Sequence, residues 1–192
     1  MPDMMRQARR FPLEQIGTAI TFPAPATLDG VYPEGHDGTL SFQTMQRMVD
    51  TLGTYDPKTF DSPGQTGQDG VWSDDMLWYG PAGVDANYRW SGFVKDHRKS
   101  FLTAFPDRKG GNHYCRFGDA NYACMSGWPS MTMTFAGEYL GQPPTNEQLT
   151  LRVMDFYRIE NARLVENWVT LDYAHLFHQM GRNLIAESNG MA

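Results

Sequence analysis

Hydrophobic positions follow helical spacing in much of the first half of the chain and strand-like alternation in most of the second. Residues 41–55, SFQTMQRMVDTLGTY, set Phe42, Met45, Met48, Val49 and Leu52 on one helical stripe, with Ser41 placed to cap the helix. Residues 56–70 mix Asp, Pro, Gly and Thr and read as loop, and VWSDDMLWYGPAG reads as a short strand ended by Gly80-Pro81. Phe93, Val94, Phe101, Leu102 and Ala104 then predict an amphipathic helix over 91–104, stopped by Pro106. Beyond it, NHYCRF and NYACMSGW flank a turn at Gly118–Asn121, residues 131–140 continue as strand, and GQPPT breaks the pattern. LTLRVMDFYRI and RLVENWVTL predict a hairpin across Glu160-Asn161-Ala162, and a helix over about 172–181 closes the pattern with Leu176, Phe177 and Met180.

Helices early and antiparallel strands late predict an α+β fold with the helices on one face of the sheet. Strong curvature of such a sheet around the helices would enclose a cone-shaped pocket. Residues 1–40 carry Pro12, Pro23, Pro25, Pro33 and several Gly without periodicity, so they read as an extended N-terminal arm, and 41–192 as a single domain. A length of 192 residues suits that division.

Composition adds a ligand to the picture. Aromatics make up 13% of the chain and Met occurs twelve times, which fits either an ordinary core or one hollowed for a small hydrophobic or aromatic ligand. The net charge of −6 argues against nucleic acid as partner. No apolar run approaches the ~18 residues of a membrane span, and the N-terminus lacks the apolar core of a secretory signal, so a cytoplasmic protein is expected. If 111–117 pairs with 122–128 across the Gly118–Asn121 turn, Cys115 faces Cys124, as two thiols in a reducing compartment.

The chain resembles the SnoaL-like polyketide cyclase family of the nuclear-transport-factor-like superfamily over about residues 70–182. The resemblance rests on Met76–Pro81, on Phe101-Leu102-x-Ala104-Phe105-Pro106-Asp107, on Gly137-Glu138, and on the Gly141…Pro143-Pro144-Thr145 break. It continues through Asp155–Ile159, Glu166-x-Trp168, Asp172 and Gln179-Met180-Gly181. It implies a cone-shaped fold, often dimeric, whose best-understood enzymes close a polyketide ring by intramolecular aldol condensation. They use an acidic side chain in an apolar pocket and need neither metal nor cofactor. Two departures stand out. Where the family commonly has His-Trp-Asp, this chain has Asn167-Trp168-Val169, so valine holds the place of the working acid; and the family's Thr-His is Thr134-Phe135.

A replacement acid must therefore be sought. Asp155 lies mid-strand between Met154 and Phe156, where a carboxylate is costly without a partner, and a raised pKa there would suit proton transfer. A bulged turn at Ala162 would set it opposite Asn167; a two-residue turn at Asn161-Ala162 would set it opposite Trp168. The family's usual Gly at the position of Ala162 favours the bulged form. The plainer alternative is an outward structural aspartate. Asp172 is a second candidate, or else the cap of the last helix. Asp74 and Asp75 adjoin Trp72 and Trp78, and because neighbours on a strand point to opposite faces, one of the two is expected to be solvated. Trp78, Tyr79, Trp128 and Trp168, with Trp72, could supply a stacking wall, and His113 is the histidine best placed to touch a ligand. His97, His175 and His178 fit no metal-binding pattern, so no metal or cofactor is expected.

The leading reading is a cyclase- or isomerase-type enzyme acting on a hydrophobic carbonyl compound by acid/base chemistry. The alternative is a non-catalytic ligand-binding or assembly domain with the same pocket; a lyase built on a His113–Asp155 pair is a third. A homodimer through the outer sheet face, with residues 1–40 contributing, is expected.

Overall fold

The computed structural model describes residues 37–110 and 112–190. Residues 1–36 of the expected arm lie outside the described residues. Helix α1 (Thr39–Leu52) begins two residues before its expected start. The Thr39 amide donates to Asp37 Oδ1 at 2.9 Å, while Ser41 sits inside the first turn and donates to the Ala120 carbonyl at 2.7 Å. Ser41 thus ties helix to sheet instead of capping it. Met45 and Met48 are wholly buried, with Phe42, Val49 and Leu52 packed around them. The helix meets the sheet where Gly38 abuts Gly118: a Cβ on Gly38 would lie 2.0 Å from the Gly118 carbonyl carbon.

Strands β1 (Trp72–Tyr79) and β2 (Ala86–Tyr88) precede a helical rod composed of α2 (Arg89–Phe93), a wide π-turn (Val94–Arg98) and α3 (Lys99–Ala104). The wider turn keeps a ring ladder in one file: Trp90–Phe93, Phe93–His97, His97–Phe101 and Phe101–Phe105 centroids lie 5.3, 5.3, 5.6 and 5.0 Å apart. Then come β3 (Lys109–Gly110), β4 (Cys115–Asp119), β5 (Tyr122–Ser126), β6 (Met131–Thr134), β7 (Gln148–Leu151), β8 (Val153–Glu160), β9 (Arg163–Leu171), α4 (Tyr173–Gln179) and α5 (Leu184–Ser188).

The larger sheet has the order β2-β1-β9-β8-β5-β4, and the smaller one β3-β6-β7. The fold is the expected α+β class, with a curved, mainly antiparallel sheet; β1 and β9 are the parallel exception. The expected strand 149–159 is two strands, because at Arg152 the chain leaves the small sheet for the large one. The expected strand 131–140 likewise stops at Thr134.

Two registers differ from expectation. The β4–β5 turn uses only Ala120 and Asn121, since Asp119 pairs with Tyr122; Cys115 therefore faces Ser126, and Cys124 faces Phe117. Both thiols are free, Cys115 exposed and Cys124 buried. In the β8–β9 hairpin, Asn161 and Ala162 form a two-residue turn with φ of +50° and +57°, and Glu160 pairs with Arg163. A bulge follows at Val165, between the pairs Ile159–Leu164 and Arg158–Glu166. Turn and bulge together set Asp155 opposite Val169, neither of the two partners expected.

Candidate functional site

Alternation along the large sheet sorts its residues onto two faces. Met125, Asp155 and Val169 are in register on one face, joined by the Ala123–Tyr157–Asn167–Trp78 row. This face and the helices enclose a cavity of about 310 Å³. The sheet contributes Met125, Val153, Tyr157 and Leu171, and the helices Met48, Leu52, Phe93 and Phe101, so the walls are mostly apolar. Its polar members are few: Asp155, Asn167, His97, His113, Arg98 and Arg108.

Asp155 is 5% exposed and lines this cavity. Burial among apolar groups pushes its carboxyl up to about 7, against the opposing pull of hydrogen bonds from Asn167 and Tyr157. Asn167 Nδ2 donates to Asp155 Oδ1 at 3.2 Å and to the Phe156 carbonyl at 3.2 Å, which holds the amide against the acid. At neutral pH the carboxyl is near half-ionised, so it can both accept and return a proton. Val169, the residue in the family's acid position, lines the cavity directly opposite it.

Of the expected stacking residues, Trp78 lines the cavity, as does Trp72. Trp78 stacks on His97 with centroids 4.5 Å apart. Tyr79 and Trp168 do not reach it, because both fall in the outward row with Cys124 and Phe156, where their rings stack at 5.9 Å. Trp128 is 47% exposed and carries the Arg152 guanidinium over its ring at 3.9 Å. Asp172 is also outside the lining: its Oδ1 accepts the His175 amide at 3.0 Å as helix cap, and its Oδ2 pairs with Arg152 at 2.7 Å. Asp75 is held at the surface by Arg89 and Tyr88.

His113 does line the cavity, and its Nε2 is buried without a partner among the described residues. His97 is the residue that sequence reading missed; it is buried, its Nδ1 is likewise unpartnered, and burial lowers it to about 3, so it stays neutral. Its signal was available in the spacing Trp90, Phe93, His97, Phe101, Phe105, one long ladder. Arg98 and Arg108 were missed as well. Among the described residues no three His, Cys, Asp or Glu side chains converge to hold a metal ion, and no helix is long and apolar enough to cross a membrane.

Residues 69–180 match the family of SnoaL-like polyketide cyclases. Several solved structures share the fold. IdmH of Streptomyces antibioticus, a candidate polyketide cyclase, is 16% identical, with 75% of this chain and 99% of that one covered and a TM-score of 0.57. A candidate SnoaL-like polyketide cyclase from Jannaschia sp. CCS1 is 10% identical over 76% and 97% of the two chains, with a TM-score of 0.58. An NTF2-like protein from Burkholderia xenovorans LB400 is 11% identical over 75% and 98%, at 0.55. No curated protein matches the chain.

Proposed function

The chain belongs to the SnoaL-like polyketide cyclase family, and from that premise we propose that it is a cyclase- or isomerase-type enzyme in which Asp155 moves protons on a hydrophobic carbonyl substrate. The observation that carries this reading is the buried Asp155 carboxyl, raised to about 7 and facing an apolar cavity across from Val169. The acid has in effect moved one strand over: the family's carboxylate position on β9 is apolar, and β8 supplies a carboxylate at the paired position.

In the proposed reaction the Asp155 carboxylate takes a proton from a carbon flanked by carbonyl groups. The resulting enolate carbon attacks a second carbonyl of the same molecule, forming the ring C–C bond. The alkoxide so formed takes the proton back from the Asp155 carboxylic acid, and the side chain is regenerated. Asn167 and Tyr157 orient the carboxyl, and the dry walls keep its pKa high. Trp72 and Trp78 offer flat surfaces for an aromatic body.

A direct test follows solvent deuterium into an aromatic 1,3-diketone probe by proton NMR. The wild type should accelerate exchange, and Asp155→Asn should lose roughly 10²–10⁴ of that acceleration. Unchanged exchange in the variant would shift the reading to a non-catalytic ligand-binding domain.

The same reading includes a homodimer through the outer face of the large sheet. Phe117, Met154 and Phe156 are 48%, 42% and 42% exposed there, in register with Cys124, Trp168 and Thr170. A contiguous apolar strand face of this kind is a natural association surface.

A further inference from the structure

Resting on the reading of the cavity as a substrate site, we propose that its helix-side wall is an anion subsite in which Arg108 receives the carboxylate of a planar aromatic acid.

Both Arg98, on the π-turn, and Arg108, just past α3, line the cavity. Their situations differ. Arg98 is occupied: Nε donates to the Phe60 carbonyl at 2.6 Å, and its terminal nitrogen donates to the Leu52 carbonyl at 3.3 Å and to Ser62 Oγ. It holds the loop after α1 in place. Arg108 makes no side-chain hydrogen bond and no ion pair among the described residues; its guanidinium lies 5.9 Å from the Tyr55 ring, the same ring that Arg98 approaches at 6.0 Å. The nearby carboxylates are engaged elsewhere. Asp107 accepts from the Thr134 amide at 2.8 Å and its hydroxyl at 2.6 Å, and Asp61 accepts from Trp90 Nε1 at 2.7 Å while its charge acts on Arg98.

A partly buried guanidinium with no hydrogen bond and no ion pair is costly to maintain. Burial lowers the affinity of both arginines for their protons; in Arg98 the charge of Arg108 adds to the effect and the Asp61 carboxylate opposes it, whereas no carboxylate among the described residues acts on Arg108. An incoming carboxylate removes that cost, and the planar fork of Arg108 suits bidentate pairing. With a net charge of −6 on the chain, attraction of an acid has to come from such a local site. Asp155 lies on β8 in the sheet wall of the cavity, whereas Arg108 follows α3 on the helix side, so the anion subsite and the proton-transfer carboxyl belong to different walls. The Trp78–His97 stack, with His97 adjacent to Arg98, offers the aromatic body its surface. The substrate class is therefore an aromatic compound with a free acid group remote from the reacting carbon.

The test compares 2-naphthoate with the neutral 2-naphthamide by tryptophan fluorescence quenching and calorimetry. Wild-type protein should bind the acid about tenfold or more tightly than the amide. Arg108→Gln should erase that preference while leaving amide affinity within about twofold, and Arg108→Lys should retain part of it. Equal affinity for the two probes in the wild type, no binding of either, or a preference that survives Arg108→Gln would each overturn the subsite. Asp155→Asn should keep the preference for the acid. Loss of deuterium exchange without loss of acid preference thus separates the two proposals, as does the converse.

Discussion

Replacing Asp155 by Asn should make the protein more stable at alkaline pH, although it removes a hydrogen-bonded side chain from the interior. The Asp155 carboxyl stands at about 7 in the fold against 3.8 in the ordinary state. Its folded pKa is raised, so the native state keeps a proton that the unfolded chain gives up. Stability is unpenalised below pH 3.8, falls as pH climbs toward 7, and levels off beyond. At about 1.4 kcal/mol per pH unit, the span between the two values amounts to something on the order of 4 kcal/mol. Asparagine has nearly the same shape and no proton to lose, so it escapes the penalty. Urea unfolding of both proteins from pH 4.5 to 8.5 should show their stability difference swinging toward the variant by about 1.4 kcal/mol per pH unit at most, then flattening above ~7.5. Groups that titrate identically in both proteins cancel in the difference. A difference that stays flat with pH, or moves toward the wild type, would refute the account of a desolvated acid.

Ala162→Gly relieves a left-handed turn position, φ +57°, and should raise unfolding stability by about 1 kcal/mol in denaturant titration. Asp172→Ala should cost about 1 kcal/mol by loss of the helix cap, with deuterium exchange on the diketone probe unchanged; a large fall in exchange would return Asp172 to the site. Phe156→Glu places a charge on the outer sheet face and should convert a dimer to a 21.8 kDa monomer in sedimentation or light scattering, whereas a wild-type monomer at micromolar concentration would refute the association.

Local pattern carried much of this structure. The stripe of Met45 and Met48 found its helix, and the costly placement of Asp155 among apolar neighbours marked it as a residue with a partner. What escaped was set by backbone detail that leaves little compositional trace. Ala162 takes a left-handed conformation normally given to Gly, and Val165 forms a bulge with an ordinary β-branched side chain; the two together moved the partner of Asp155 to Val169. The parallel β1–β9 pairing joins segments some ninety residues apart, and the alternation within each says nothing about its neighbour. Tyr79 and Trp168 are ordinary strand aromatics, and only register decided that they face outward. Arg108 follows a helix-ending Pro-Asp pair and looks like a solvated loop residue until the cavity wall closes around it.

The bulge at Val165 has a bearing on how such a protein can change. Leu164 and Asn167 both point inward only because one extra residue lies between their pairings. Deleting Val165 would restore plain alternation: Leu164 would stay opposite Ile159, Glu166 opposite Arg158 and Asn167 opposite Tyr157, so the cavity wall would keep its members. The bulge is thus a reserve of length, a place where β9 can lose a residue without exchanging its faces. Further along, where the ladder is regular, loss of Trp168 would turn Val169 and Leu171 outward and Thr170 inward. Laboratory libraries built on β9 should therefore hold the length between Asn167 and Leu171 constant and place any single deletion at the bulge.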